Sequence, residues 1–441
     1  MTTQKYILSF LLGDEILEKY VAYTSLDKIS DLTEQTKLVI IQSNFFDDGM
    51  YGTSATLPKT PFELLPNSDI PFLFGEPRVE HTNDGKIILY ADLVASAYFM
   101  LSRYEEIIKP KSRDQFGRFL AKDSVVFQQD YGMRPLVDEW GRYLRNLLQE
   151  AGVEISEEKS GFSKIYLTHD VDLPFRVFNL WSLIIQYAAN ILKPHHYLKN
   201  PLKLLVCENE DPYYTFPKII KYDDKLRKTI PINVESIYFV IAAKGKDYCN
   251  IMLRKFKRLV ELLKSNDATL GLHVSLEAGK NPNRIAKEMA RLHKVIPESS
   301  LKSRHHFLRW TEPEHIEQMQ NAGITEDFTL GYADCAGFRV GTCKPYKFIN
   351  PNTKQLSGVI IHPMQIMECS LDRMCYMGLE FEEALDYCKK LIDQTYQFNG
   401  ELNLLWHNTS FFNEKNLFSY DSYYEKLYLA LIDYIIELSY K

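Results

Sequence analysis

The chain has 441 residues and a formal net charge of −6, with apolar residues at 45% and charged residues at 25%. These proportions are typical of a globular protein and exclude a collagen-like or wholly disordered chain. Without a basic surplus, the composition gives no support to nucleic-acid binding, which depends on clustered Lys and Arg. The seven cysteines include no C-x-x-C pair, which argues against a disulfide scaffold or a cysteine-rich zinc site and favours a reduced, cytoplasmic setting.

Residues 1–160 are predicted to form a smaller α/β domain that precedes the main one. Residues 6–12 are apolar and lie between a single Lys and several acids, so we predict a first strand there rather than a signal peptide. Hydrophobic spacing predicts the remaining elements, namely strands at 37–42 and 87–90, a loop over 43–80, and helices at 92–107 and 135–151. The charged run 103–106 (RYEE) is predicted to be a solvated helix end without a chemical role.

From residue 161 to residue 441 the pattern changes to strands that alternate with helices, which indicates parallel βα units. The predicted strands are 165–169, 236–242, 268–273, 304–310, 327–332, 359–363 and 402–407, and the predicted helices are 250–265, 281–296, 313–322, 380–397 and 414–439. This number of units favours an α/β barrel over an open sheet.

One insertion, residues 173–235, interrupts the alternation. It contains an apolar helix at 180–192 that is too short to span a bilayer, so no transmembrane segment is expected. The basic and aromatic stretch 193–203 could contact a membrane surface or a lipid-linked substrate. We favour the simpler interpretation that the insertion is a lid or a packing element over the barrel.

Titratable side chains recur at the ends of predicted strands, where α/β barrels carry their functional groups. Asp170 and Asp172 share one strand face, so their carboxylates would repel each other unless a cation lies between them. His273 ends a short apolar strand, and Glu277 four residues later could face the same ion on a helical turn. Arg339 lies in a glycine-rich turn, where its guanidinium could hold a carboxylate through two hydrogen bonds.

Two further strand ends contribute histidines. Alternation over 304–310 places Arg304 and His306 on one strand face and His305 on the other, and we prefer His306 for the barrel interior, with His305 as the alternative. His407 ends a strand and suits a general acid, because the unperturbed pKa of imidazole is about 6.5. This set of groups predicts metal-assisted hydrolysis of an acyl bond, because it supplies a metal, a carboxylate base, an arginine and a histidine acid. Nitrogen and oxygen ligands favour one zinc ion, with iron, cobalt and nickel as alternatives.

Four segments, taken in order, resemble the motifs of the polysaccharide deacetylase (NodB-homology) family. They are 168–172 (THDVD), 271–275 (GLHVS), 337–342 (GFRVGT) and 405–407 (LWH), and the resemblance covers about 163–440. Residues 97–106 (AYFMLSRYEE) and 211–216 (DPYYTF) are similar to the bacterial subgroup that has an N-terminal domain of unknown function.

This resemblance implies a distorted (β/α)7-type barrel that removes N-acetyl groups from an amino-sugar of a glycan or a glycan precursor, lipid-linked precursors included. It further implies that Asp170 is the base, that Asp172 and His273 bind the metal, that Arg339 orients the base, and that His407 is the acid.

The sequence departs from the family pattern at two places. Val171 separates the two aspartates, and Glu277 stands where a second metal-binding His is expected. The third ligand is therefore Glu277 or His306, and His306 is favoured because the subgroup commonly shows Arg-x-His at that position.

We also expect three residues to contact substrate, namely Arg304, Tyr332 and Trp406. Two other functions compete with deacetylation. The first is a catalytically inactive glycan-binding protein that retains the barrel, and the missing second His motivates it. The second is a hydrolase of a small amide that is not a sugar.

Overall fold

The computed structural model describes residues 2–13, 15–177, 182–185, 188, 207–244, 251, 254–372, 376–412 and 422–440. Most of the predicted insert helix 180–192 and the whole stretch 193–203 lie outside these ranges. The predicted lid and membrane contact therefore stay predictions. None of the helices within the described ranges is long and apolar enough to cross a membrane.

Strands and helices are numbered in chain order. The strands are β1 Val21–Thr24, β2 Leu38–Ile41, β3 Gly75–His81, β4 Ile87–Ala91, β5 Phe162–Val171, β6 Val234–Ile241, β7 Thr269–Val274, β8 Lys302–His305, β9 Glu326–Asp327, β10 Tyr346–Asn350, β11 Gln355–Ile361, β12 Ile366–Met367 and β13 Gly400–Leu405. The helices are α1 Thr3–Leu12, α2 Leu93–Leu101, α3 Tyr104–Ile108, α4 Val125–Gln128, α5 Leu136–Glu150, α6 Phe216–Thr229, α7 Arg254–Lys264, α8 Leu276–Lys280, α9 Ile285–Val295, α10 Ile316–Asn321, α11 Glu368–Leu371, α12 Phe381–Gln397 and α13 Tyr424–Leu438.

The N-terminal region contains a four-stranded sheet in the order β1-β2-β4-β3. Strands β1, β2 and β4 are parallel, and β3 is antiparallel to β4. The predicted loop 43–80 therefore holds part of a strand, β3, which the sequence pattern did not reveal because most of its residues are exposed at the sheet edge.

The predicted first strand at 6–12 is wrong, because this segment is helix α1. Thr2 caps the helix by accepting a hydrogen bond from the backbone amide of Lys5, and Gly13 ends it in the left-handed conformation. Its buried residues follow helical spacing and pack towards α5. A side chain at Gly141 of α5 would clash with the backbone of Leu11, so glycine is required for this close approach.

The larger sheet has nine strands in the order β10-β11-β9-β8-β7-β6-β5-β13-β12. All neighbours are parallel except β10 and β11. The sheet curls into a half-barrel, as shown by Arg304 on β8, which donates to Thr168 on β5 across two intervening strands at 2.7 Å. The predicted mixed α/β fold with a curled, mainly parallel sheet is thus confirmed at this level.

Several predicted elements in this half differ from the structure. The predicted strand 304–310 stops at His305, because Phe307 and Leu308 adopt left-handed backbone conformations with φ of 58° and 54°. The predicted strand 327–332 is reduced to the two residues of β9, since the side chain of Asp327 accepts the amide of Thr329 and turns the chain. Strands β10 and β12 were not predicted.

Candidate metal centre

Three predicted ligands meet at the carboxyl ends of neighbouring strands. Asp172 follows β5, His273 lies on β7, and His306 lies in the turn after β8. Their ligand atoms all lie within 4.8 Å of one another. Oδ1 of Asp172 is 3.1 Å from Nε2 of His273 and 3.5 Å from Nε2 of His306. The parallel order of the strands produces this grouping, because it brings their carboxyl ends to one rim.

The donor atoms are arranged for a cation rather than for each other. Oδ1 of Asp172 and Nε2 of His273 are buried, and neither has a hydrogen bond within the described parts of the chain. Because a carbonyl oxygen can only accept, Nδ1 of His273 donates to the carbonyl of Arg304 at 3.0 Å, which leaves Nε2 as the nitrogen that can ligate a metal once it is deprotonated. Two imidazoles and one carboxylate are a donor set that suits zinc and similar divalent ions. The residues therefore fit the predicted metal.

Charge in the centre keeps Asp172 ionised. Burial alone would raise the pKa of Asp172, but His273, His306 and His407 outweigh it and hold that pKa well below its usual range. Burial alone would lower the pKa of His273, but Asp170 and Asp172 reverse the effect and raise it. The carboxylate is thus in the form that ligates a metal.

Asp170 lies beside this group and is held by Arg304. Nη1 of Arg304 is 3.1 Å from Oδ1 of Asp170, and Oδ2 of Asp170 is 3.4 Å from Nε2 of His273. Arg304 is fully buried and also donates to the carbonyl of Phe328 at 3.0 Å. Full burial does not agree with the predicted contact between Arg304 and substrate, because the side chain lies beneath Asp170 instead.

Arg339 does not occupy the position that the resemblance implies. Its guanidinium donates to Oε1 of Glu106 at 2.6 Å and to the carbonyl of Gly331 at 2.9 Å, whereas Asp170 pairs with Arg304. The predicted role of Arg339 in orienting the base does not agree with this geometry.

The run 103–106 is also not the solvated helix end that was predicted, since all four of its residues are buried. Arg103 donates to Glu106 through two nitrogens, at 2.8 and 2.5 Å. Burial alone would raise the pKa of Glu106, but the charges of Arg103 and Arg339 lower it to about 2. Charged residues can be buried here because they are paired with each other.

His407 closes the other side of the centre. Its Nε2 is 3.7 Å from Oδ2 of Asp172, and its Nδ1 is 2.7 Å from Oε1 of Glu368. The backbone amide of His407 and the hydroxyl of Ser410 donate to the same oxygen of Glu368 at 2.8 and 2.6 Å. Burial alone would lower the pKa of His407, but the charge of Glu368 raises it well above its ordinary value. Glu368 therefore favours the protonated form of His407.

Sequence reasoning missed Glu368. The one available signal was an isolated acid beside the apolar residues Ile366 and Met367. Glu368, Cys369 and His407 form a second group with ligand atoms within 4.8 Å. In that group Glu368 and His407 already bond each other at 2.7 Å, so their arrangement is that of an acid and its supporting carboxylate.

The remaining predicted site residues lie away from the centre. Glu277 has 57% of its side chain exposed and lies 3.7 Å from Arg284. In this geometry the third residue of the candidate group is therefore His306, and not the alternative Glu277. His305, the other alternative, is buried and faces Thr329.

Trp406 and Tyr332, which were expected to contact substrate, are both buried. The indole nitrogen of Trp406 donates to the carbonyl of Tyr424 at 3.0 Å, and Tyr332 packs edge-on against Phe127. The structure therefore places both rings in the core rather than on a substrate surface.

Exposed aromatic rings are instead linked to the turn that carries His306, Phe307 directly and Tyr376 through Arg118. Phe307 follows the ligand His306, is 42% exposed, and has its ring centroid 4.4 Å from the imidazole. Tyr376 is 43% exposed and accepts a hydrogen bond from Arg118 at 2.9 Å. These rings offer apolar faces and a hydroxyl of the kind that bind sugars.

Comparisons with known proteins cover parts of the chain. Residues 2–153 match a family of unknown function, DUF7033. No curated protein matches the chain in sequence. A solved structure from Mycobacterium smegmatis, described as a candidate polysaccharide deacetylase, aligns with a TM-score of 0.38 and 11% identity, over 65% of this chain and 89% of that one. Similarity at this level carries no argument about activity, so the case for function has to come from the geometry.

Proposed function

We propose that this protein is a metal-dependent hydrolase that removes N-acetyl groups from an amino-sugar of a glycan or a glycan precursor. The observation that carries the proposal is the convergence of Asp172, His273 and His306, whose ligand atoms lie within 4.8 Å of one another. Oδ1 of Asp172 and Nε2 of His273 are buried and have no hydrogen bond in the described parts of the chain. Asp170 and His407 flank this group on two sides, as a base and an acid for hydrolysis would. A barrel of the (β/α)7 type over 161–441, after a separate domain at 1–160, is part of the proposal.

A bound divalent ion, zinc by preference, would polarise the acetyl carbonyl and lower the pKa of a water molecule. Asp170, whose carboxylate Arg304 orients, would serve as the base for a water molecule at such a site. His407 donates a proton to the departing amine nitrogen, which leaves as a neutral amine. Glu368 supports this step because it stabilises the protonated imidazole before the transfer.

An amino-sugar substrate is supported by the rim of the centre. The ring of Phe307, next to the ligand His306, is 42% exposed, and an exposed apolar ring of this kind stacks on sugar rings. The seven cysteines of the sequence include no C-x-x-C pair, which suits a reducing compartment. We therefore propose a cytoplasmic precursor, free or lipid-linked, as the substrate class.

The test combines metal analysis with acetate release. Tag-free protein is loaded with zinc, its metal content is measured, and acetate is assayed with N-acetylglucosamine oligomers and with a small aryl acetamide. We expect about one metal per chain and acetate from the sugar alone. The variant Asp172→Ala should lose both, whereas Glu277→Ala, a matched carboxylate outside the centre, should keep both.

Other outcomes would favour the competing functions. Sugar binding that is unaffected by a chelator, with no metal and no acetate, would favour a catalytically inactive glycan-binding protein. Hydrolysis of the aryl acetamide alone would favour a hydrolase of small amides.

A further inference from the structure

The third ligand, His306, lies on a turn with an unfavourable backbone. Strand β8 ends at His305, and the next residues include Phe307 and Leu308 at φ of 58° and 54°. Neither is a glycine, and consecutive residues of this kind adopt the left-handed region only where their surroundings hold them there. Something outside the turn must therefore stabilise the conformation that presents His306.

Two arginines from the N-terminal region bond the backbone of this segment. Nη1 of Arg118 donates to the carbonyl of Phe307 at 3.1 Å. Nη2 of Arg103 donates to the carbonyl of Trp310 at 2.8 Å, and its guanidinium lies 4.9 Å from the centroid of the Trp310 indole. One of these bonds is made within the turn, at Phe307, and the other just after it, at Trp310.

Each arginine is fixed by a carboxylate of its own region. Nε of Arg118 donates to Oδ2 of Asp114 at 2.8 Å, and Nε of Arg103 donates to Oε1 of Glu106 at 2.8 Å. Both arginine side chains are buried. A buried guanidinium with a carboxylate partner is a rigid donor, because its planar fork is already oriented.

Packing around Arg118 adds to this support. Phe116 stacks on Phe307 with ring centroids 4.8 Å apart and an interplanar angle of 18°. Gly117 has a φ of 79°, and a side chain there would meet that of Thr311 at 2.9 Å. The loop with Phe116 and Gly117 therefore fits directly against the segment that follows the metal ligand.

We propose that Arg118, assisted by Arg103, is a positioning residue for the metal ligand His306. The region that matches DUF7033 would then have a defined task, which is to complete the metal centre by holding one ligand in place. This inference rests on the proposed function, because it assumes that His306 binds a metal.

The experiment measures the zinc affinity of the full chain by competition with a chromophoric chelator. Arg118→Ala is expected to weaken zinc binding by about 10- to 100-fold, as for other groups that orient a ligand. Arg142→Ala is the matched control. Arg142 also belongs to the N-terminal region and donates to a distant carbonyl, that of Gln397 at 2.8 Å, but not in this turn. The zinc affinity of the Arg142→Ala variant should equal that of the wild type.

A double-mutant comparison separates positioning from general stability. If Arg118 acts through His306, Arg118→Ala should have no further effect on zinc affinity in the His306→Ala background. Equal losses in both backgrounds would overturn the proposal. If Arg118→Ala does not fold, Arg118→Lys replaces it, because lysine keeps the charge but lacks the planar guanidinium. Arg118→Lys should weaken zinc binding in the wild-type background and have no further effect in the His306→Ala background.

Failure of this inference and failure of the proposed function give different results. A wild type that binds zinc, with Arg118→Ala equally tight, would overturn the positioning role and leave the metal centre intact. A wild type that binds no zinc would overturn both.

Discussion

Two buried groups of charged residues differ in how their charges are satisfied. In the N-terminal region, Glu106 is bonded by Arg103 and Arg339 at distances from 2.5 to 2.8 Å. In the metal centre, Asp172 and His273 approach to 3.1 Å without a hydrogen bond. The partners of Glu106 are guanidinium groups, which stay charged, whereas the partners of Asp172 are imidazoles, which can lose their protons when a cation binds. Burial of charge therefore does not by itself identify a functional site, whereas a carboxylate that converges with imidazoles is a donor set for a metal.

The largest expected effect is on catalysis. Asp170→Asn should lower kcat by about 10²- to 10⁴-fold, because the amide cannot accept the proton of the attacking water. Zinc content should stay near the wild-type value, since Asp170 is not among the three converging ligands. Steady-state acetate release and elemental analysis check the two parts. Wild-type turnover in this variant would show that Asp170 is not the base.

The next effect is on the free energy of unfolding, which should differ between substitutions of Glu106 and of Asp172. Glu106→Gln should cost about 3–5 kcal/mol in the free energy of unfolding, because two buried guanidinium groups lose their common carboxylate. Asp172→Ala in metal-free protein should cost less, because the imidazoles that face Asp172 can lose their protons when the carboxylate is removed, whereas the guanidinium groups around Glu106 stay charged. Urea unfolding with a chelator present measures both. Equal losses would contradict the distinction between the groups.

The carboxylate of Glu106 also predicts that the free energy of unfolding depends on pH in the acid range. The pKa of Glu106 is lowered from 4.5 to about 2 on folding. Its stabilising contribution is therefore present above the unfolded value and is lost as the pH falls towards 2. The difference in stability between wild type and Glu106→Gln should shrink over that range. An unchanged difference down to pH 2 would show that Glu106 is not held by its arginines.

A smaller effect concerns the pH dependence of kcat/KM, through the proposed acid His407. His407 must be protonated to act, so activity is lost as the pH rises through its pKa, which Glu368 raises. Glu368→Gln should therefore move the alkaline limb of kcat/KM to lower pH, by about 1–3 units. Ser410→Ala is the control, because it removes a donor to Glu368 but keeps the charge. An unmoved limb in Glu368→Gln would contradict the assignment.

The smallest effect is on substrate binding. Tyr376→Ala removes an exposed ring that accepts a hydrogen bond from Arg118, the arginine that contacts Phe307, and should raise KM by about 2- to 10-fold, with kcat and zinc content unchanged. Trp406→Phe is expected to act differently, through stability, because its indole donates in the core. A fall in kcat alone for Tyr376→Ala would place this ring outside the sugar-binding surface.

Strand topology singled out Asp172 and His273, because the ends of parallel strands meet at one rim, and the family resemblance gave them the predicted role of metal ligands. The structure brings both together with His306 in one candidate group. His306 was also named, but by an argument from strand alternation, whereas it lies on a turn beyond the strand. Its position depends on contacts with a region about 190 residues earlier, such as the bond from Arg118 to Phe307, which the local pattern does not contain.

The partners of the charged residues could not be read from the sequence. Arg304 reaches Asp170 only because the sheet curls across two strands, and Glu106 meets Arg339 across a separation of 233 residues. Helix α1 was mistaken for a strand, although Gly13 and the spacing of its buried residues carry a helical signal. Local pattern thus indicated which residues are reactive, and the tertiary fold determined what each one contacts.

The most direct test of the metal centre is anomalous diffraction at the zinc edge from crystals of zinc-loaded, tag-free protein. We expect one strong peak bonded to Asp172, His273 and His306, at about 2.0–2.2 Å from each ligand atom. A peak at Glu368, Cys369 and His407 instead, or no peak at either group, would contradict the proposed metal centre.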